Sequence, residues 1–111
     1  MPIYESATKL ASNIRDSKEY RDFKKSMDEI KKDKESEDLL KNYKFIQLQM
    51  KSYENKDERL YQRSKEIYKS MNKKVIKNKK VSRYLINEEK FNIMMNNINK
   101  IIADAIKDDY K

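Results

Sequence analysis

Residues 39–71 read LLKNYKFIQLQMKSYENKDERLYQRSKEIYKSM. Leu39, Tyr43, Ile46, Met50 and Tyr53 alternate steps of four and three, and Leu60, Ser64, Ile67 and Met71 repeat those steps. Each set therefore lies on one stripe of an α-helix, and a narrow apolar stripe on a charged helix needs a partner. Between the runs stands Glu54-Asn55-Lys56-Asp57-Glu58, a cluster of residues that cap or turn helices. It predicts a turn folding 37–53 against 58–77 as an antiparallel pair. The competing geometry is one unbroken helix over 37–77, because the two runs share a heptad phase and neither Gly nor Pro intervenes.

Upstream, Pro2 suits a first helical turn, and Ile3, Ala7, Leu10, Ala11 and Ile14 form one stripe, predicting a helix over 3–15. Asp16-Ser17 breaks it. Ser17 can accept from a free amide a few residues on, opening a second helix that carries Tyr20, Phe23, Met27 and Ile30. Residues 31–37 are wholly polar and read as a linker, with Ser36 as the cap of the next helix. Downstream, Tyr84, Phe91, Met95, Ile98, Ile102 and Ala105 recur at heptad positions, flanked by Leu85, Met94, Ile101 and Ile106. This predicts a helix over 80–107. Its phase does not continue that of Leu60 to Met71, so the chain must break between Asn72 and Ser82, with Asn78 the expected pivot.

The chain has 111 residues, which is one domain's worth, 1–111. With no Gly, phosphate-cradling loops, dinucleotide fingerprints and Gly-containing hairpin turns drop out. No Cys and no His remove disulfides, thiolate nucleophiles, iron-sulfur clusters, ordinary zinc sites and the commonest general base. The reading is a non-enzymatic protein with no catalytic residue, cofactor, metal or small-molecule substrate. No apolar run is long enough to span a bilayer and the start lacks the layout of a signal peptide, so a cytoplasmic location is expected.

Charge is unevenly placed. Residues 1–66 carry 16 basic and 14 acidic side chains, 67–87 carry 7 and none, and 88–111 carry 4 and 5, so one stretch holds nearly all of the net +8. Lys69, Lys73, Lys74, Lys77, Lys79, Lys80 and Arg83 put like charges three or four residues apart. On a helix each such pair costs about 0.2–0.5 kcal/mol. An anion such as RNA would relieve that repulsion, and about five phosphate contacts to single-stranded RNA would give a salt slope of roughly −3.5. The competing reading is a solvated face, or pairing with Asp33, Glu35, Glu37 and Asp38 of another helix. Lys in place of Arg, and Tyr84 as the one nearby aromatic, make any RNA contact weak and sequence-independent. Ile67, Met71, Val75, Ile76 and Val81 offer too little apolar surface for a membrane-lying helix.

Met50, Met71, Met94 and Met95 sit at or beside seam positions and read as core rather than as a groove. Tyr61 and Tyr68, seven apart and one position off the seam, form either an exposed stripe or a wider core face. Glu88-Glu89 and Asp108-Asp109 read as surface charge rather than as cation ligands, which would need six or more oxygens.

Tyr4-x-x-Ala7-x-x-Leu10, Ser17-x-Glu19-Tyr20, the Asn42-Tyr43-Lys44 to Gln47 stretch, Asn87-Glu88-Glu89-Lys90-Phe91-Asn92 and Asn99-Lys100-Ile101-Ile102 resemble, in order and spacing, the YlbF/YmcA family, closest to its YheA-like branch. The resemblance implies an all-helical dimer from Gram-positive-type bacteria. Better-understood relatives are accessory proteins in competence, sporulation and biofilm control, in a complex that modulates an endoribonuclease of the RNase Y type. Those relatives are associated with cysteine-held iron-sulfur clusters, which this cysteine-free chain cannot hold in that way.

The expected architecture is all-α: an elongated helical hairpin with two short N-terminal helices, completed by homodimerisation into a bundle. The expected core and dimer seam comprises Tyr43, Ile46, Met50, Leu60, Ile67, Met71, Phe91, Met95, Ile98 and Ile102. The expected function is that of a regulatory adaptor acting through protein contacts, with a protein partner that the resemblance places in an RNA-processing complex. The alternative is an RNA-binding accessory factor using 69–83.

Overall fold

A computed structural model describes residues Met1–Lys107, all of them in helices or the short breaks between. Five helices follow in order: α1 (Pro2–Asp16), α2 (Lys18–Lys31), α3 (Lys34–Tyr53), α4 (Glu58–Lys77) and α5 (Lys79–Lys107). The chain divides into two compact units, one of residues 27–84 and one of residues 1–26 with 85 onward. The divisions fall inside α2 and α5.

In the first of these units α3 and α4 form the hairpin. Asn55 adopts φ 65°, a left-handed conformation that Asn tolerates better than most residues. The amides of Lys56 and Asp57 return to the Tyr53 carbonyl, both at 3.0 Å. Asp57 then caps α4, its Oδ1 accepting from the Leu60 amide at 3.0 Å. The polar cluster thus makes the turn, and the unbroken 37–77 helix is excluded.

The hairpin's dry seam consists of Leu40, Tyr43 and Ile46 on α3 and Val75 on α4, with Ile30 and Val81 from the flanking helices. Tyr43 and Tyr68 stack with ring centroids 5.2 Å apart and hydroxyls at 2.9 Å, and the Tyr43 hydroxyl also donates to Asn72 Oδ1 at 3.3 Å. Burial, together with the Tyr68 hydroxyl, pushes the Tyr43 phenol up to about 12.

Two expectations are corrected here. The α4 seam is rotated by about one position: Ser64, Tyr68, Asn72 and Val75 face α3, whereas Leu60 and Ile67 remain 38% and 45% exposed. Tyrosine packs as an apolar body with a polar tip, so a stripe drawn through aliphatic residues misplaces a seam built on rings. Tyr68 therefore belongs to the wider core face. The second correction concerns residues 31–37. Only Lys32 and Asp33 interrupt the helices, Asp33 is the N-cap position, and Ser36 lies inside α3 with 1% exposure.

Ser36 is buried because it is part of a polar bolt. Its Oγ donates to Asp33 Oδ2 at 2.8 Å and accepts from Asn78 Nδ2 at 3.0 Å. Asn78 breaks α4 from α5 at φ −96°, ψ 105°, as the phase change predicts, and its Oδ1 caps α5 by accepting from the Val81 amide at 3.0 Å. Ser82 Oγ donates back to the Val75 carbonyl at 2.7 Å, adding a second bond to a carbonyl that also accepts from the Asn78 amide at 3.1 Å.

In the other unit, Ser17 separates α1 from α2. Its Oγ donates to the Ile14 carbonyl at 2.6 Å and accepts from the Tyr20 amide at 3.1 Å, ending one helix and starting the next. Phe91 of α5 packs between Tyr20 and Phe23 of α2, with centroids at 5.9 and 5.4 Å. Asn87 Nδ2 donates to the buried Ser26 Oγ at 2.6 Å and to the Asp22 carbonyl at 3.3 Å. No residue of α1 is buried.

Candidate functional site

The basic stretch is divided by the Asn78 break. Lys69, Lys73, Lys74 and Lys77 are exposed on α4, while Lys79, Lys80 and Arg83 open α5. Two of the seven are already engaged. Lys80 Nζ lies 3.3 Å from Asp33 Oδ2, and Arg83 Nη1 lies 3.4 Å from Glu29 Oε2. The Ser36 hydroxyl, and after it the Lys80 ammonium, hold the Asp33 carboxyl below its ordinary range. Among the described residues no acid pairs with Lys69, Lys73, Lys74, Lys77 or Lys79. Lys74 and Lys77 line a groove of about 440 Å³ with Glu35, Leu39 and Asn78.

The second feature is apolar. Along α5, Ile86, Ile93, Ile101, Ile102 and Ile106 are all exposed, Ile93 by 52% and Ile101 by 70%. Ile93, Met94, Ile98 and Ile101 floor an open groove of about 510 Å³ whose rim includes Lys18, Asp22 and Lys90. The rim is held by a Lys18–Asp22 ion pair of 2.9 Å, which lowers the Asp22 carboxyl and raises the Lys18 ammonium, hydrogen bonding between them being the first cause.

Of the expected seam, Tyr43 and Ile46 are buried, and Met50, Met71, Phe91, Met95 and Ile98 are half-buried. Leu60, Ile67 and Ile102 are exposed. Met94 is half-buried like the other three seam methionines. Sequence reasoning missed Ser26 and Asn87 and read Ser36 only as a cap; Ser26 and Ser36 are buried, and Asn87 half-buried, where helices meet. Their only signal was polarity at a core-facing helical position. Among the described residues no group of three or more acids could hold a metal ion; Asp108-Asp109 lies outside those residues. No helix among the described residues is long and apolar enough to cross a membrane.

The described residues form an all-helical protein, five helices with a hairpin between α3 and α4, that exposes isoleucines along α5 and lysines along α4. Residues 3–107 match the family described as "Control of competence regulator ComK, YlbF/YmcA", and the chain belongs to that family. Among its relatives is UPF0342 protein DSY2926 of Desulfitobacterium hafniense, 31% identical over 114 residues covering 97% of this chain and 87% of that protein. A UPF0342 protein of Lactobacillus delbrueckii subsp. bulgaricus is 25% identical, covering 98% and 93% respectively. In fold, the chain is similar to an X-ray crystal structure of Bacillus subtilis RicA in complex with RicF. The TM-score is 0.66 at 16% identity, covering 99% of this chain and 97% of the other.

Proposed function

We propose that this protein is a non-enzymatic cytoplasmic regulatory adaptor of the YlbF/YmcA type, working as one domain and as a homodimer through contacts with another protein. The observation that carries the reading is the run of exposed isoleucines along α5, from Ile86 to Ile106. Apolar surface of that kind on a charged chain marks an association surface. Burying it against a second copy stabilises by about 25 cal/mol per Å² removed from water. Family membership supports the regulatory role, and the fold neighbour crystallised with RicF supports a protein partner. Light scattering at micromolar concentration tests the dimer: twice 13.5 kDa is expected. A monomer with undiminished helical circular dichroism overturns it. Affinity capture from the native cytoplasm tests the adaptor role.

A second reading is favoured by one observation, the five lysines of 69–79 that no acid among the described residues neutralises. On it, the segment contacts RNA phosphates without reading sequence. The division at Asn78 and the loss of Lys80 and Arg83 to ion pairs reduce the charge available. Binding of mixed-sequence RNA at low salt, lost in Lys73→Glu/Lys77→Glu, is the expected result, and no shift at about 50 mM salt removes the reading.

A further inference from the structure

Two apolar faces of one compact unit stand uncovered. On α1, Ile3, Ala7, Leu10, Ala11 and Ile14 share a stripe, yet no residue of the helix is buried and Ile3 is 65% exposed. On α5, Ile93, Met94, Ile98 and Ile101 floor the groove of about 510 Å³, and among the described residues none of α1 lines it. The two match in length. α1 has 15 residues, about 22 Å of helix, and the groove follows α5 from Asn87 to Ile101, about 21 Å. They also match in charge. Glu5, Lys9, Arg15 and Asp16 of α1 cancel, and Ser6, Thr8 and Asn13 beside the stripe are uncharged. At the groove, Lys18 and Lys90 stand against Glu19 and Asp22.

We propose that α1 of a second copy lies in the α5 groove, the two chains exchanging their first helices. The proposal rests on the homodimer reading and names the segments that meet. The chain's own α1 is held away by its connection. Ser17 alone separates α1 from α2, whereas folding one helix back along another takes a loop of about 2–5 residues. The Ser17 hydroxyl also ties both helix ends, donating to the Ile14 carbonyl at 2.6 Å and accepting from the Tyr20 amide at 3.1 Å. A different protein in the groove would leave the α1 stripe bare. A two-fold pair covers both faces on both chains, because each contact of one chain on the other is repeated in reverse. The area agrees. The chain leaves 9110 Å² accessible, where a folded monomer of 13.5 kDa leaves roughly 6,500 Å². If each copy hid half of that surplus, the pair would bury about 2,600 Å², which lies within the range of obligate homodimers.

The test uses the full chain, which has no cysteine, so that introduced thiols report chosen contacts. Ala7 and Asn97 are exposed and stand near the middle of the stripe and of the groove, so they approach each other whichever way α1 runs. Treated with a short bismaleimide linker, Ala7→Cys/Asn97→Cys is expected to run as a covalent dimer on a denaturing gel. Ser12→Cys/Asn97→Cys, whose α1 thiol lies on the opposite face of the helix, is expected to stay a monomer. All three positions are at the surface, so circular dichroism should show both variants folded. In light scattering, Ile3→Glu/Ala7→Glu should raise the dissociation constant of the dimer by at least about tenfold, a loss expected of an interface anchor. Equal cross-linking of the two thiol variants, or a dimer untouched by Ile3→Glu/Ala7→Glu, overturns the proposal. So does a cross-link closed within one chain, seen as a monomer of raised mobility, which assigns the groove to the chain's own α1. If no cross-link forms while wild type scatters as a dimer, this placement of α1 is wrong and the homodimer reading stands. If wild type scatters as a monomer, both fall.

Discussion

Asn78 and Ser36, 42 residues apart in sequence, are joined by a 3.0 Å hydrogen bond from Asn78 Nδ2 to Ser36 Oγ. The amide's other end caps α5 at the Val81 amide. One side chain therefore ends a helix, starts the next and bolts the elbow to α3. Asn78→Ala should lower the unfolding free energy by about 1–3 kcal/mol, since it removes a cap and leaves buried polar groups short of a partner. Chemical denaturation reads this as a lower midpoint at unchanged slope. A midpoint equal to wild type would show the bolt to be dispensable.

The acid side of the same bolt sets a pH dependence. Asp33 is held below its ordinary range in the folded chain by the Ser36 hydroxyl and the Lys80 ammonium. A depressed folded value means stability that is present above the unfolded carboxylate range and lost as pH falls through the folded one. Denaturant midpoints should drop on acidification, and Asp33→Asn should show a shallower drop. Parallel acid profiles for the two proteins would remove Asp33 from the account.

Tyr43 predicts the opposite limb. Its phenol is raised to about 12 in the folded chain, against an ordinary value of 10.0. As pH rises past the ordinary value the unfolded chain loses the proton first, so the unfolded state binds fewer protons and folding weakens, by at most roughly 1 kcal/mol per pH unit. Wild type should therefore lose stability relative to Tyr43→Phe across that window. A constant difference between them at all alkaline pH values would contradict the buried Tyr43–Tyr68 pair.

The turn depends on Asn55 at φ 65°. Asn55→Val should destabilise by about 1–2 kcal/mol, because a β-branched side chain clashes in the left-handed region, and Asn55→Gly should be neutral or slightly stabilising. Thermal unfolding of the three proteins orders them. Val equal to Asn would mean that the turn relaxes to another geometry.

On α5, Ile101→Glu places a charge on the most exposed of the groove's apolar residues, at 70%. Light scattering should show the proposed homodimer shifting to monomer, with circular dichroism unchanged. A stable dimer in that variant would place the self-association surface elsewhere.

The helices, the turn at 54–58 and the break at Asn78 were readable from residue order because each is a local event. Spacing reports which side chains share a face, Asp57 and Ser17 cap through bonds a few residues long, and a change of phase must be absorbed where it occurs. Family membership was readable for a related reason, since the matching residues run in order along almost the whole chain. What residue order could not decide was which stripe of α4 meets α3. Leu60 and Ile67 are the more apolar choice, yet Tyr68 and Asn72 occupy the seam because Tyr43 offers a ring to stack on and a hydroxyl to share. Nor could it show that Ser36 is a buried bolt rather than a cap, because its partner lies 42 residues away. Lys80 and Arg83 likewise belong to ion pairs only once the chain has brought Asp33 and Glu29 to them. Local propensity depends on neighbours in sequence, whereas packing and polar satisfaction depend on neighbours in space, and those exist only after the chain has folded.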